Sequence, residues 1–486
     1  MATPLQELIA VRLDKLNKLK DSGVDPYAFT FNKSHTILSS RDQMDQEVQT
    51  AGRLMAIRGH GAIVFADLVD ETGKIQLLCK GEALDEIEQK ILAALDIGDI
   101  IGVTGKVFTT KAGEITIEVA RLTLLTKSVR PLPSTWHGLK DVEQRYRERY
   151  VDLLLNPQVR KVFNARSRLV SFLRRFLDEH GFTEVETPVL QPLYGGATAR
   201  PFVTHHHALD NDFYLRISDE LYLKRLIVGG YDKVYELSKD FRNEGIDRQH
   251  NPEFTMLEFY WAYADYTHLM KFSEEMLAAA VKEVTGSFTL NFAGQELDFT
   301  PPWPRVKYQE LLLKDTAIDI DKVTTEADLR QAIKDKCLKL DLKGIQGYAN
   351  VLDEVYKAES RPQITGPLFL IDHPYEAMPL AKRHPTDQSK IASVQLLIGG
   401  FEVIKAYSEL NDPADQRARW EEEKKILQKG QTAQPLDEDY IRALEYGMPP
   451  TAGWGLGIDR FTAILTDQAS LKDVIIFPTL KPEKIS

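Results

Sequence analysis

The run from Lys233 to Tyr266, KVYELSKDFRNEGIDRQHNPEFTMLEFYWAYADY, constrains this chain more than any other segment. It reads as two strands joined by a short loop, with charges where a plain sheet would be apolar. At period two, Arg242 and Glu244 share one face of the first strand, and Phe254, Met256, Glu258 and Tyr260 share one face of the second. Such a hairpin sets a cation, carboxylates and rings on one wall, able to hold a phosphate, a planar base and a cationic side chain. The alternative is a surface hairpin with solvated charges. Phe254, Tyr260 and Trp261 interleave with those charges, and exposed hairpins rarely carry so many rings.

The flanking sequence divides by pattern. Residues 3 to about 22 carry Leu5, Ile9, Leu13, Leu16 and Leu19 at helical spacing, ended by Gly23 and Pro26. Between 46 and 126 the pattern changes to about five short strands split by Gly, Asp and Thr turns, with a helix near Glu82 to Leu95, which suggests a small OB-fold barrel. RPLPSTWHG, residues 130 to 138, reads as a rigid linker. Beyond it, a helix with the stripe Val162, Leu169, Phe172 and Phe176 opens an irregular mixture of strands and helices. The expected organisation is therefore a helical segment 1–45, an OB-fold domain 46–128, a linker 129–142 and an α+β domain 143–486. A polar helical insertion is expected at about 307–362.

A chain of 486 residues is too long for one core. Its 43% hydrophobic and 27% charged residues are those of an ordinary globular protein, and no apolar run approaches the roughly 20 residues that span a bilayer. The amphipathic start resembles neither a secretory signal nor a transit peptide, and Cys79 and Cys337 lack metal-ligand spacing, so a cytoplasmic location is the simplest expectation. The net charge of −11 argues mildly against a nucleic-acid partner but leaves local basic patches open. His205, His206 and His207 alternate faces if extended and so do not converge on one metal.

FRNEG followed by HNPEFTMLEFYWAYADY resembles motif 2 of the class II aminoacyl-tRNA synthetases, in the form found in lysyl-tRNA synthetases. GFTEVETPVL (Gly181 to Leu190) resembles motif 1 and GWGLGIDRFTAILT (Gly453 to Thr466) resembles motif 3, in the same order along the chain. GGATARPFVTHH and ELYLKRLIVGGYDKVYEL are similar to the lysine-specific subgroup. The resemblance implies a catalytic α+β domain built on an antiparallel sheet, activation of L-lysine by ATP and transfer to tRNA(Lys), with Mg2+, and a homodimer formed through motif 1, at whose end Pro188 stands. Such chemistry needs no protein nucleophile, because the amino acid's own carboxylate attacks; the protein supplies position and charge.

The resemblance assigns Arg242 to the α-phosphate and the lysine carboxylate, a role suited to a bidentate guanidinium. It assigns Glu244, His250, Asn251 and Phe254 to the nucleotide. Gly457 lies in the glycine run of motif 3, and Arg460 would stack on adenine or reach the γ-phosphate; alone, GWGLGIDR could equally be a tight strand-to-helix turn. Glu258, Tyr260 and Glu409 are assigned to the lysine ε-ammonium, Tyr407 to its stem, and Glu220 and the backbone near Gly196 to its α-amino group.

SVQLLIGGFEVIKAYSEL reads as a hairpin turning at Gly399–Gly400, in which Leu397 pairs Glu402 and Gln395 pairs Ile404. Gln395 and Glu402 then share a face as candidate metal ligands, whereas the lysyl family usually has Glu at both positions. Strict alternation sends Lys405, Tyr407 and Glu409 to the other face, so a single site requires a bulge near Ile404. The chain departs from the family pattern further at Lys405, where Asn usually meets the lysine carboxylate, at Gln249 and at Ser393. On the barrel, Phe65, Gln76, Arg53 and Glu114 stand where the family reads an anticodon; from the residues, Phe65 is as readily barrel core.

Competing readings fare less well. Paralogues that attach lysine to a protein lack the N-terminal barrel. Non-catalytic relatives are expected to lose Arg242, Glu244 or Arg460, and an aspartate or asparagine enzyme would not present Glu258, Tyr260 and Glu409.

Overall fold

β-branched residues and turn-forming Gly and Asp recur through residues 46–126, and the chain there closes on itself. The computed structural model describes residues 4–59, 63–133, 139–375, 378–427 and 434–483; Ser134–Gly138 of the expected linker lie outside the described residues. The chain forms two compact units, 1–156 and 157–486.

In the first unit, β1 (Glu47–Arg58), β2 (Ile63–Val69), β3 (Lys74–Lys80), β4 (Ile100–Thr109) and β5 (Ile115–Thr126) form a closed barrel in the order β1-β2-β3-β5-β4. Its interior holds Val48, Leu54, Leu68, Leu77, Ile101, Val107 and Ile117. The helix Glu86–Ala94 begins at a capping box, in which the Asp85 side chain accepts from Glu88 N and Glu88 returns a bond to Asp85 N. The helix Pro4–Asp21 forms as its spacing predicts, but only Leu16 and Leu19 of the expected stripe are fully buried; Leu5 and Leu13 are exposed. The helices Val142–Arg147 and Arg149–Leu155 belong to this unit.

In the second unit the short strands β6 (Thr183–Glu184), β7 (Leu190–Gln191), β8 (Val203–His206) and β9 (Asn211–Leu215) precede the long hairpin β10 (Lys233–Phe241) and β11 (Glu253–Ala262). The hairpin β12 (Thr289–Phe292) and β13 (Gln295–Asp298) follows. β14 (Arg305–Lys307) and β15 (Leu368–Ile371) then bracket a helical insertion, and β16 (Ser393–Ile398), β17 (Phe401–Ser408) and β18 (Thr451–Gly457) complete the unit. The main sheet runs β14-β15-β16-β17-β18-β11-β10-β6. It is antiparallel from β15 to β10, as expected, but each edge strand is parallel to its neighbour, so the sheet is mixed.

Two faces of this sheet differ in chemistry. Leu257, Phe259, Trp454, Leu456, Ile404 and Ala406 point to one side and pack on the helices Pro157–Glu179, Tyr266–Thr285 and Ile458–Leu465. Phe259 stacks on Trp454 with centroids 4.6 Å apart. Each such side chain contributes about 1.5–3 kcal/mol on burial, so a one-residue slip in any central strand is prohibited. The alternate residues are thereby forced to the opposite face. The insertion between β14 and β15 supplies the helices Tyr308–Thr316, Glu326–Asp335 and Tyr348–Val355, whose core around Leu312, Leu329, Val351 and Val355 also takes in Leu370 of β15 and Leu397 of β16.

Candidate active site

Opposite the helix-packed face lies a cavity of about 940 Å³. Its floor is read directly from the strand register. Lys405 is paired with Gly455, and Gly455 with Glu258; one step along, Tyr407, Gly453 and Tyr260 form a parallel row. The three glycines of β18 that alternate with its core residues leave a trough of bare backbone between the β17 and β11 side chains. At Gly453 the trough is also a steric necessity: an added Cβ would lie 1.9 Å from Glu409 Oε1 and 2.5 Å from the Tyr260 ring.

One end of the cavity is cationic. Arg242 and Glu244 line it, but β10 ends at Phe241, so they project from the loop after the strand and not from a strand face as the alternation suggested. That loop runs from 242 to 252, longer than the expected short connection. The Arg242 guanidinium lies 5.0 Å over the Phe254 ring and donates to Ile217 O, so one face of that ring carries the arginine. Arg460 donates to the Glu402 carbonyl at 3.1 Å, and Arg361, from the insertion, donates to the Gly400 carbonyl at 2.8 Å. His250 lines the cavity beside Asp247. Asn251 also lines it, with its amide engaged by Glu253 O and Thr479 N.

The other end is acidic and buried. Glu258 accepts from Ser218 Oγ at 3.2 Å and from Tyr260 OH at 3.3 Å. Burial, with Asp240 and Glu220 nearby, pushes its carboxyl up to about 8. Glu220 accepts from Tyr407 OH at 2.7 Å and from Lys224 Nζ at 2.5 Å. Lys224 is fully buried and also pairs with Glu409, and these two carboxylates outweigh the burial that works against its charge. Glu409 is thus the one predicted residue of this site that does not line the cavity: it stands behind Gly453 beside Lys224, where burial raises its carboxyl well above the ordinary value against the pull of that lysine. Gly196, at φ +84°, lines the cavity and donates its N–H to Gln434 Oε1.

The sequence that builds this cavity matches a known family. Residues 141–481 match the model for tRNA synthetases class II (D, K and N), and residues 48–125 match that for the OB-fold nucleic acid binding domain. A lysine–tRNA ligase of Moorella thermoacetica is 48% identical over 487 residues, covering 98% of both chains. Lysine–tRNA ligases of Pelotomaculum thermopropionicum, at 46% with 99% of this chain and 96% of the relative, and of Carboxydothermus hydrogenoformans, at 47% with 98% and 99%, are similar throughout. The chain belongs to the class II tRNA synthetases of the D, K and N group.

In this class II synthetase the β16–β17 hairpin departs from the expected ladder. Its turn, Gly399–Gly400 with φ of 56° and 75°, is as predicted, and Leu397 pairs Glu402. The register then shifts, so that Leu396 faces Ile404 and Gln395 faces Lys405, not Ile404. The shift is the bulge that a shared site requires, and Glu402, Lys405 and Tyr407 all line the cavity with Gln395. Gln395 Nε2 donates to Glu402 Oε2 at 2.7 Å, while its Oε1 is buried without a partner. An amide nitrogen is the atom that a carboxylate attracts, so Gln395 orients Glu402 instead of presenting its oxygen beside it. A divalent oxygen-seeking cation fits here against the single carboxylate of Glu402, with substrate phosphates needed to complete its shell. Lys405 has no ion-pair partner among the described residues, and beside it burial pushes His373 down to about 3, with Lys405 adding to the effect against Gln395.

On the synthetase's barrel, Phe65 is half-buried and stands outside the core cluster, on the outer face with Gln76, whose Oε1 accepts from Thr116 Oγ1. Glu114 is exposed in the loop before β5. Arg53 does not join them: it pairs with Val69 at the far end of β2 and donates to Gly98 O at 2.7 Å. Arg58 is the arginine opposite Phe65, and its guanidinium holds Asp67 at 2.6 Å. Both Cys79 and Cys337 are free thiols, and among the described residues no helix is long and apolar enough to cross a membrane.

Sequence reasoning missed Lys224, Arg361, Asp219 and Asp240. Only Lys224 left a local signal, standing four residues after Glu220 on one helix face.

Proposed function

We propose that this chain is a lysine–tRNA ligase that forms lysyl-adenylate from L-lysine and ATP and then transfers the lysyl group to the 3′ end of tRNA(Lys). The observation that carries this reading is the polarity of one cavity: Arg242 and Arg460 at one end, Glu258 and Tyr260 at the other.

ATP lies with its phosphates toward Arg242 and Arg460, and Glu244, His250, Asn251 and Phe254 border the nucleotide, with Gly457 beneath. The lysine ε-ammonium meets Glu258 and Tyr260, its stem meets Tyr407, and its α-ammonium meets Glu220 near Gly196. Glu409 acts through Lys224, which fixes Glu220. The lysine carboxylate, neutralised by Arg242 and Lys405, attacks the α-phosphorus and expels pyrophosphate. The tRNA terminal hydroxyl then attacks the activated carbonyl and releases AMP. Mg2+, held by Glu402 with Gln395 orienting that carboxylate, supplies positive charge beside the phosphates when bound. Position and fixed charge carry the catalysis, as no protein nucleophile takes part.

The barrel reads the anticodon through Phe65, Gln76 and Glu114, with Arg58 rather than Arg53 beside the aromatic ring. The ligase acts in the cytoplasm as a homodimer formed through motif 1, a role supported by the exposed apolar side chains of Val189 and Leu190. ATP–pyrophosphate exchange measured across the twenty amino acids, with and without Mg2+, tests the central reading. Lysine alone is expected to support rapid, Mg2+-dependent exchange, and preference for another amino acid would overturn it.

Phe65→Ala is expected to weaken tRNA charging by roughly 10- to 100-fold in kcat/KM for tRNA, the equivalent of about 1–3 kcal/mol of stacking. Lysine-dependent exchange should be unchanged, because Phe65 stands outside the barrel core. Equal loss of both activities would indicate a folding role.

A further inference from the structure

Beneath Glu258 lies a group of carboxylates that the reaction as described does not use. Asp219, Asp240 and Glu258 are all buried, and one oxygen of each lies within 4.8 Å of the others. Glu236 and Asp240 project from β10 on the face that Glu258 shares across the hairpin, with Glu236 directly opposite Glu258. Between them Ser238 has a buried hydroxyl without a partner.

The cations facing this group are too few. Arg216 donates to Glu236 at 2.6 Å, approaches Asp219 at 3.0 Å without hydrogen-bond alignment, and lies 3.6 Å from Asp240. Arg242 acts on Asp240 from the cavity side. Lys224 is committed to Glu220 and Glu409. Neither Asp219 nor Asp240 has any hydrogen-bond donor on either oxygen. Four carboxylates against two shared guanidiniums, out of water, cannot all ionise.

We propose that Asp219, Asp240 and Glu258 hold a shared proton in the empty lysine site, and that the substrate ε-ammonium displaces this proton to solvent when it binds. Resting on the lysine reading above, this makes Asp219 and Asp240 positioning residues, which act on the ammonium site through Glu258 and do not line the cavity. With one proton held, the four carboxylates and two guanidiniums carry one net negative charge, and the arriving ammonium takes the place of that proton. The charge balance is simple: one proton leaves the cluster as one ammonium enters beside it. The directions of titration agree, since burial first, and the neighbouring carboxylates second, raise Asp219 well above its ordinary value, while burial raises Asp240 to about 6. As a coupled set the three release protons in steps that belong to the cluster.

The test is calorimetric titration of lysine into the full-length chain in buffers of different ionisation enthalpy, from pH 6 to 9. Close to one proton is expected to leave per lysine near pH 7, with affinity rising by about tenfold per pH unit from pH 6 towards 8. Asp240→Asn should flatten that slope and bind lysine more tightly than the native chain at pH 6, whereas a merely structural role would weaken binding at every pH. Asp219→Asn provides the same comparison should the first variant fold poorly. Lysine binding with no linked proton overturns the proposal and leaves the lysine reading intact. No lysine binding at any pH overturns both.

Discussion

Glu258→Gln is expected to raise the KM for lysine by on the order of 100- to 1000-fold in ATP–pyrophosphate exchange while leaving the KM for ATP nearly unchanged. The size follows from removing one partner of a buried charge pair, about 2–5 kcal/mol. Glu258 is 7% exposed and accepts from Ser218 and Tyr260. With its carboxyl pushed up to about 8, the empty native site at pH 7 already holds Glu258 mainly in its neutral form, which glutamine matches in shape. The thermal midpoint should therefore stay close to native, and the loss should fall on lysine binding alone. Above pH 8 the deficit should widen, because the native carboxylate is then ionised before lysine arrives and the amide cannot follow. Near-native lysine-dependent exchange in this variant would remove Glu258 from the ammonium site.

Gly453→Ala should be nearly as damaging by a different route. The added methyl would overlap Glu409 Oε1 and the Tyr260 ring, both buried, so one of them must move. Overpacking of this kind costs about 1–3 kcal/mol of stability. Displacing Tyr260 or the Glu409–Lys224 pair by ~1 Å at the substrate should cost roughly 100-fold in kcat/KM for lysine. Gly455→Ala is the control, since a methyl there meets Met256 Cε at 3.4 Å and Glu258 Cγ at 3.6 Å, ordinary contact distances. Comparable exchange rates for the two variants would show that the Gly453 contact does not shape the pocket.

The legible parts of this fold are those in which a short-range pattern has a single outcome. Alternation in β11 puts Phe254, Met256, Glu258 and Tyr260 on one face because Leu257 and Phe259 must reach the core on the other. The strand-and-turn spacing of residues 46–126 gives a five-stranded barrel for the same reason. The expected stripe of the first helix failed before Leu16, where Leu5 and Leu13 have the right period but stay exposed. Periodicity specifies a face, not whether anything packs on it.

The β16–β17 hairpin marks the limit of such reading. Its turn was evident from two glycines, yet the residue facing Gln395 depends on a bulge that alternation cannot contain. One extra residue reverses parity, and it brings Glu402 to the side of Lys405 and Tyr407. Arg53 and Arg58 show the same limit on the barrel: both are on β1, and only the pairing with β2 puts Arg58 opposite Phe65.

By itself the sequence determined the two-part architecture, the family motifs and the candidates Arg242, Arg460, Glu220 and Glu258, because each rests on local period or on contiguous residues. Tertiary structure decided which charges remain available. It tied Glu409 to Lys224, turned the Gln395 amide onto Glu402, and gathered Asp219, Glu236 and Asp240 around a shared Arg216. Those outcomes depend on burial and on Coulomb interactions summed over elements far apart in the chain, and no local pattern encodes that sum.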